Sequence, residues 1–154
     1  MGTVDDRLAE LGLTLPAVAT PLAAYVPTTQ SDGLVWMSGQ LPLVDGKVPV
    51  TGKVGAEVSV DDANALARIC ALNAIAALKS ELGDLDRVER IVKVVGFVAS
   101  APDFTSQPAV VNGASELFAE VFGDAGRHAR SSVGVAVLPL DAPVEVELVA
   151  KVRG

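Results

Sequence analysis

The chain is poor in the residues that most often carry cross-links or chemistry. It has one cysteine, Cys70, and one histidine, His128, in 154 residues, so neither an intrachain disulfide nor a cysteine-rich metal site can be assembled. A reducing compartment suits that usage. Aromatic residues make up only 4% while hydrophobic residues reach 50%. Val, Leu, Ile and Ala must therefore build the core, which suits helix packed closely on sheet and excludes a disordered chain. Basic residues are also few: 12 Lys and Arg against 19 Asp and Glu give a formal charge of -7, and no Lys/Arg cluster stands out. A phosphate backbone is repelled at long range, so nucleic acid is not expected as a partner. No segment supplies the roughly 18 uninterrupted apolar residues of a membrane span. The opening MGTVDDRLAEL lacks both the basic start and the apolar stretch of a secretory signal. The expected setting is the cytoplasm, away from membranes.

With no linker, internal repeat or low-complexity tract, the expectation is one domain over residues 1–154, with residues 1–14 as a short N-terminal extension. Residues 5–11 suit a short helix with Leu8 and Leu11 on one face and Gly12 as its terminator. Strand-forming residues fill 23–29 and 34–38, and Gln30-Ser31-Asp32-Gly33 between them has turn chemistry, which predicts a hairpin with Pro27 at an edge or bulge. A Gly- and Pro-containing stretch of loop or short strand continues through Val54.

The clearest helix lies between Ser59, a good N-cap, and Gly83, a good terminator, with Asp61 and Asp62 in its first turn. Its narrow face of small residues comprises Ala63, Leu66, Ala67, Cys70, Asn73, Ala74, Ala77 and Leu78. The β-branched run 88–98 reads as a central strand, ended by Pro102 and Asp103. A second helix is expected over 108–122, burying Val111, Leu117, Phe118, Val121 and Phe122, stopped by Gly123 and weakened by Gly113. Strands at 132–138 and 144–152 close the chain, and in the last of them Val144, Val146 and Leu148 alternate with Glu145, Glu147 and Val149. This order predicts an α+β fold, one mixed sheet with two helices packed on one face. The other face would remain apolar and uncovered, so association with further copies is expected.

Two segments carry a resemblance. Gly33-Leu34-Val35-Trp36-Met37-Ser38-Gly39-Gln40-Leu41-Pro42, preceded by Tyr25, is similar to an early strand ending in Ser-Gly-Gln-hydrophobic-Pro. Ala129-Arg130-Ser131-Ser132-Val133, then Leu138-Pro139 and Val144-Glu145-Val146-Glu147, resembles a closing signature of Ala-Arg-Ser, Leu-Pro and Val-Glu-Ile-Glu. Both belong to the RidA/YjgF family of reactive-intermediate deaminases, and the likeness extends over about residues 15–152. It implies a chorismate-mutase-like homotrimer whose sheets form a central barrel, with clefts at the subunit boundaries. It further implies hydrolysis of enamines or imines to 2-oxo acids and ammonia without metal or organic cofactor. In such a cleft Arg130 would grip the substrate carboxylate through its planar fork. Glu145 would handle the attacking water and the protons, and Tyr25 of a neighbouring chain would help close the pocket.

On the residues alone, Arg130 reads as a surface cation, Glu145 as an outward strand carboxylate and Tyr25 as a packed ring. His128 either lines the cleft beside Arg130 or caps a loop. Ser131 and Ser132 have no His/Asp partner spacing, so their backbone amides are the expected substrate contacts. The sequence departs from the family's deaminases where Ser132 replaces a common Cys and Gly134 a frequent Glu. A carboxylate-metabolite binding module without turnover is therefore the rival expectation. Ribonuclease activity, attributed to some relatives, is disfavoured by the acidic charge.

Overall fold

A computed structural model describes residues 2–21 and 23–154. Helix α1 spans Thr3–Glu10 and begins before the expected position, because its cap comes from far along the chain. The Asp86 carboxylate accepts the Thr3 and Val4 amides at 2.8 and 2.9 Å, which also holds its own ionisation below the usual carboxylate range. Leu8 is buried and Gly12 takes a positive φ of 68°, ending the helix as expected.

The hairpin is real but displaced. Strands β1, Thr28–Ser31, and β2, Leu34–Met37, pair antiparallel with Ser31 opposite Leu34. Only Asp32 and Gly33 turn, at φ 51° and 75°. That is the two-residue, left-handed geometry that matches strand twist, so Gln30 and Ser31 join the ladder instead of the turn. Residues 23–27 are not strand, and Leu22 lies outside the described residues. Pro27 immediately precedes the edge strand, where its carbonyl accepts the Ser38 amide.

Helix α2 runs Val60–Leu82, with the Ser59 hydroxyl accepting the Asp62 amide at 3.1 Å and Gly83 at its end. Strand β3 covers Val88–Ala99, helix α3 Gln107–Phe122, β4 Ala129–Val135 and β5 Val144–Val152. The sheet order is β1-β2-β5-β3-β4, parallel only between β3 and β4. Expected over 132–138, β4 instead begins three residues earlier, because Ala129 pairs with Lys93 and the ladder runs to Val135 opposite Ala99. Pairing to β3 decided this register; the local pattern could not.

Helices α2 and α3 cover one face of the sheet. All the small residues expected on the α2 face are buried, Asn73 among them; its side-chain amide donates to the Leu41 and Leu43 carbonyls at 3.0 and 3.1 Å. Gly113, a weak residue for a helix interior, has a packing reason: a Cβ there would strike the Asn64 backbone carbonyl of α2. Gly96 in β3 likewise admits the Val111 side chain of α3. The opposite face carries Trp36, 50% exposed, and Val133, 43% exposed, beside the partly covered Val95, Phe97 and Val149. No helix among the described residues is long and apolar enough to cross a membrane.

Candidate functional site

Arg130 stands near the start of β4, in register with Val94 and, through β3, with Leu148. Directly opposed residues share a face, so Arg130 points to the helix side of the sheet. There its Nη1 donates to Asn112 Oδ1 at 2.8 Å and Ser115 Oγ at 3.1 Å, and Nη2 to the Pro108 carbonyl at 3.5 Å. All three acceptors belong to α3 and all are neutral. Among the described residues no carboxylate forms an ion pair with Arg130. A guanidinium held in this way keeps its full charge and leaves its Nε edge for a ligand.

His128 completes the cluster. Its Nδ1 lies 2.6 Å from the Gly126 carbonyl and its Nε2 2.9 Å from Ser115 Oγ. The ring meets Phe118 edge-on, centroids 5.9 Å apart at 86°. Burial, then the Arg130 charge, lowers its proton affinity against the opposing pull of the Gly126 carbonyl. Ser115, Gly126, Arg127, His128 and Arg130 line an open cleft of about 340 Å3. Ser132 shares the Arg130 face of β4, and its enclosed hydroxyl finds no hydrogen-bond partner among the described residues. Unlike these, Ser131 projects to the bare face, where its hydroxyl accepts from Lys93 Nζ at 3.1 Å.

Glu145 sits elsewhere. It is in register with Phe97 and therefore faces the side of the sheet away from the helices. Gly39 presses against its carboxylate, and any Cβ at that position would overlap it. Burial first, and the like charge of Glu147 second, raise the Glu145 carboxyl above the usual range. Next to Gly39, a small concavity is lined by Tyr25, Pro27, Gln40 and Leu41. Gly39 thus touches the Glu145 carboxylate and also lines the concavity that holds Tyr25.

Within one chain the structure makes two separate clusters. One comprises Arg130, Asn112, Ser115 and His128; in the other Glu145 lies against Gly39, which also lines the concavity beside Tyr25. They occupy opposite faces, and Tyr25 precedes β1 at the far edge of the sheet from β4. Asn112 and Ser115 were not singled out in the sequence as site residues. The signal available was their spacing of three on one helix, which puts both on one face toward β4. The only cysteine, Cys70, is buried, with Sγ 3.7 Å from the Val144 carbonyl, and its thiol is pushed well up by burial first and by the Glu145 charge second.

Residues 5–152 match the family described as "YjgF/chorismate_mutase-like, putative endoribonuclease". Protein TCP17 of Trypanosoma cruzi is 47% identical, covering 99% of this chain and 96% of its own length. The 2-iminobutanoate/2-iminopropanoate deaminase of Salmonella typhimurium is 37% identical over 88% of this chain and 90% of its own. The crystal structure of Atu1372 from Agrobacterium tumefaciens, a protein of unknown function, superimposes with a TM-score of 0.90 at 48% identity, covering 97% of this chain and 92% of that one.

Proposed function

The chain belongs to the YjgF/chorismate mutase-like family, and on that premise we propose that it hydrolyses a small carboxylate-bearing imine or enamine to a 2-oxo acid and ammonia. The observation that carries this reading is Arg130: an unneutralised guanidinium, oriented by three neutral acceptors and facing an open cleft. A planar carboxylate matches its free Nε edge in two parallel hydrogen bonds. The deaminase of Salmonella typhimurium, by its name, acts on substrates of that class.

The chemistry needs a second group, and Glu145 has the properties for it. Its raised carboxyl exchanges protons nearer neutrality than an exposed glutamate would. A water oxygen adds to the imine carbon while its proton passes to Glu145. The same proton then moves to the substrate nitrogen to give a carbinolamine; its hydroxyl proton follows to nitrogen by way of Glu145, the C–N bond breaks, and ammonia leaves as the carbonyl forms. Tyr25 would narrow the mouth of the cleft.

Arg130 and Glu145 meet only if two chains contribute. Patches on opposite faces are joined by a heterologous interface, which gives a ring where the rotation closes and an open filament where it does not. A homotrimer with the bare sheet faces turned inward satisfies that requirement and covers Trp36 and Val133.

Arg130→Ala should lower kcat/KM for ammonia release from imines generated in place by about 100-fold or more, the scale of a lost charge-assisted pair. Unchanged release would overturn the assignment. A second reading, a carboxylate-metabolite binding module, draws on the fact that the Arg130 cluster is complete within one chain while the proton-transfer group is not. Thermal stabilisation by 2-oxo acids with no ammonia released from any imine would select it.

A further inference from the structure

The hydrogen-bond directions around Arg130 are determined by chemistry. A carbonyl only accepts, so the 2.6 Å contact of His128 Nδ1 with Gly126 requires the proton on Nδ1. In the neutral ring Nε2 is then an acceptor, and the Ser115 hydroxyl 2.9 Å away must donate to it. With its hydrogen committed to the ring, Ser115 offers only lone pairs to Arg130 Nη1 at 3.1 Å. The result is a one-way relay from Arg130 through Ser115 and His128 to the Gly126 carbonyl, each bond polarising the next. Edge contact with Phe118 keeps the ring in plane for it.

Protonating His128 reverses one link. Nε2–H then donates to Ser115 Oγ, which can accept from both His128 and Arg130 through its two lone pairs, and the Ser115 hydrogen is released. Ser115 lines the cleft, so the freed O–H can turn toward a bound anion. A positive ring beside Arg130 also strengthens the attraction for that anion.

We propose that His128 is a positioning residue that couples carboxylate capture at Arg130 to proton uptake, with Ser115 switching from relay donor to ligand donor. The inference rests on the carboxylate-binding reading of Arg130. Neighbouring elements carry other charges: Arg127 lines the same cleft, and β3 contributes Arg90, which reaches the Arg127 carbonyl at 3.4 Å. Helix α3 carries Glu116 and Glu120, the latter paired with Arg68 at 2.8 Å, and the 3-10 turn Gly123–Gly126 carries Asp124. None of these bears on the ring as the Arg130 charge does. An anion that screens that charge raises the proton affinity of His128, and by reciprocity the anion binds more tightly as pH falls.

Because His128 is the only histidine, its imidazole signals in an NMR titration are unambiguous. The ligand-free protein should show the Nδ1–H tautomer, and saturating 2-oxobutanoate should move the midpoint upward. Calorimetry should find 2-oxobutanoate binding about fivefold to tenfold tighter near pH 5 than near pH 7.5. His128→Gln should bind with that increment removed, and Ser115→Ala with a smaller one. Glu145 titrates in all of these proteins, so the difference between them isolates His128. An Nε2–H tautomer, or binding that leaves the His128 midpoint unmoved, overturns this inference while leaving Arg130 as the carboxylate site. Absence of any 2-oxobutanoate binding overturns the Arg130 reading and this one with it.

Discussion

On the helix-covered face of the sheet Val35, Val94, Val146 and Ala150 have no exposed surface, whereas on the bare face the apolar Trp36, Val95, Phe97, Val133 and Val149 stand among Lys93, Glu145 and Glu147. The same strands build both faces, since side chains alternate along each of them. One face finds its partners within the chain, in Ala67, Ala74, Ile75 and Phe118. The other mixes large apolar groups with charges, a composition that fits the proposed contact with further copies. The two clusters follow that division. The Arg130 cluster is satisfied by α3 on the covered side, and Glu145 lies on the bare side.

Substitutions can break this contrast from either direction. Phe118, fully buried against the sheet, should give the largest effect: Phe118→Ala should cost about 3–5 kcal/mol in urea unfolding. A loss much below that would mean the covered face is not the main source of stability. Val133→Asp tests the other face. It should turn a three-chain species into monomers in light scattering while costing under about 1 kcal/mol of monomer stability, because an exposed position tolerates charge. A wild-type protein that already runs as a monomer would end the argument for a shared cleft.

A smaller effect, at the start of α2, comes from Ser59→Ala. Loss of the bond to the Asp62 amide should cost about 1 kcal/mol in the same unfolding measurement. The smallest sharpens the picture of Glu145. Its carboxyl titrates higher in the folded chain than in the unfolded one, so on raising the pH the unfolded state ionises first. Ionisation therefore subtracts stability above the ordinary value of 4.5. Glu145→Gln should raise the melting temperature at neutral pH, with the gain vanishing as pH falls below that value.

Much of the fold was legible because its signals are local. Ser59 and Gly83 bracket α2 on their own chemistry, and the alternation from Val144 to Val152 marks a strand with one buried side. The misplaced boundaries involve distant partners: Asp86 caps α1, and β3 dictates where β4 begins. Arg130, Glu145 and Tyr25 were singled out as candidates through the family signature. Asn112 and Ser115 were not, since neither type of residue carries a charge or a motif that announces a role.

By itself the sequence determined the element types, the small-residue helix face and the apolar alternation, all set by backbone preference and side-chain period within a few residues. Only the tertiary structure decided that Arg130 and Ser131, adjacent in the chain, serve opposite faces, and that Arg130 and Glu145 do not meet within one chain. Strand pairing assigns each side chain its face and neighbours, and pairing is a property of residues far apart in sequence.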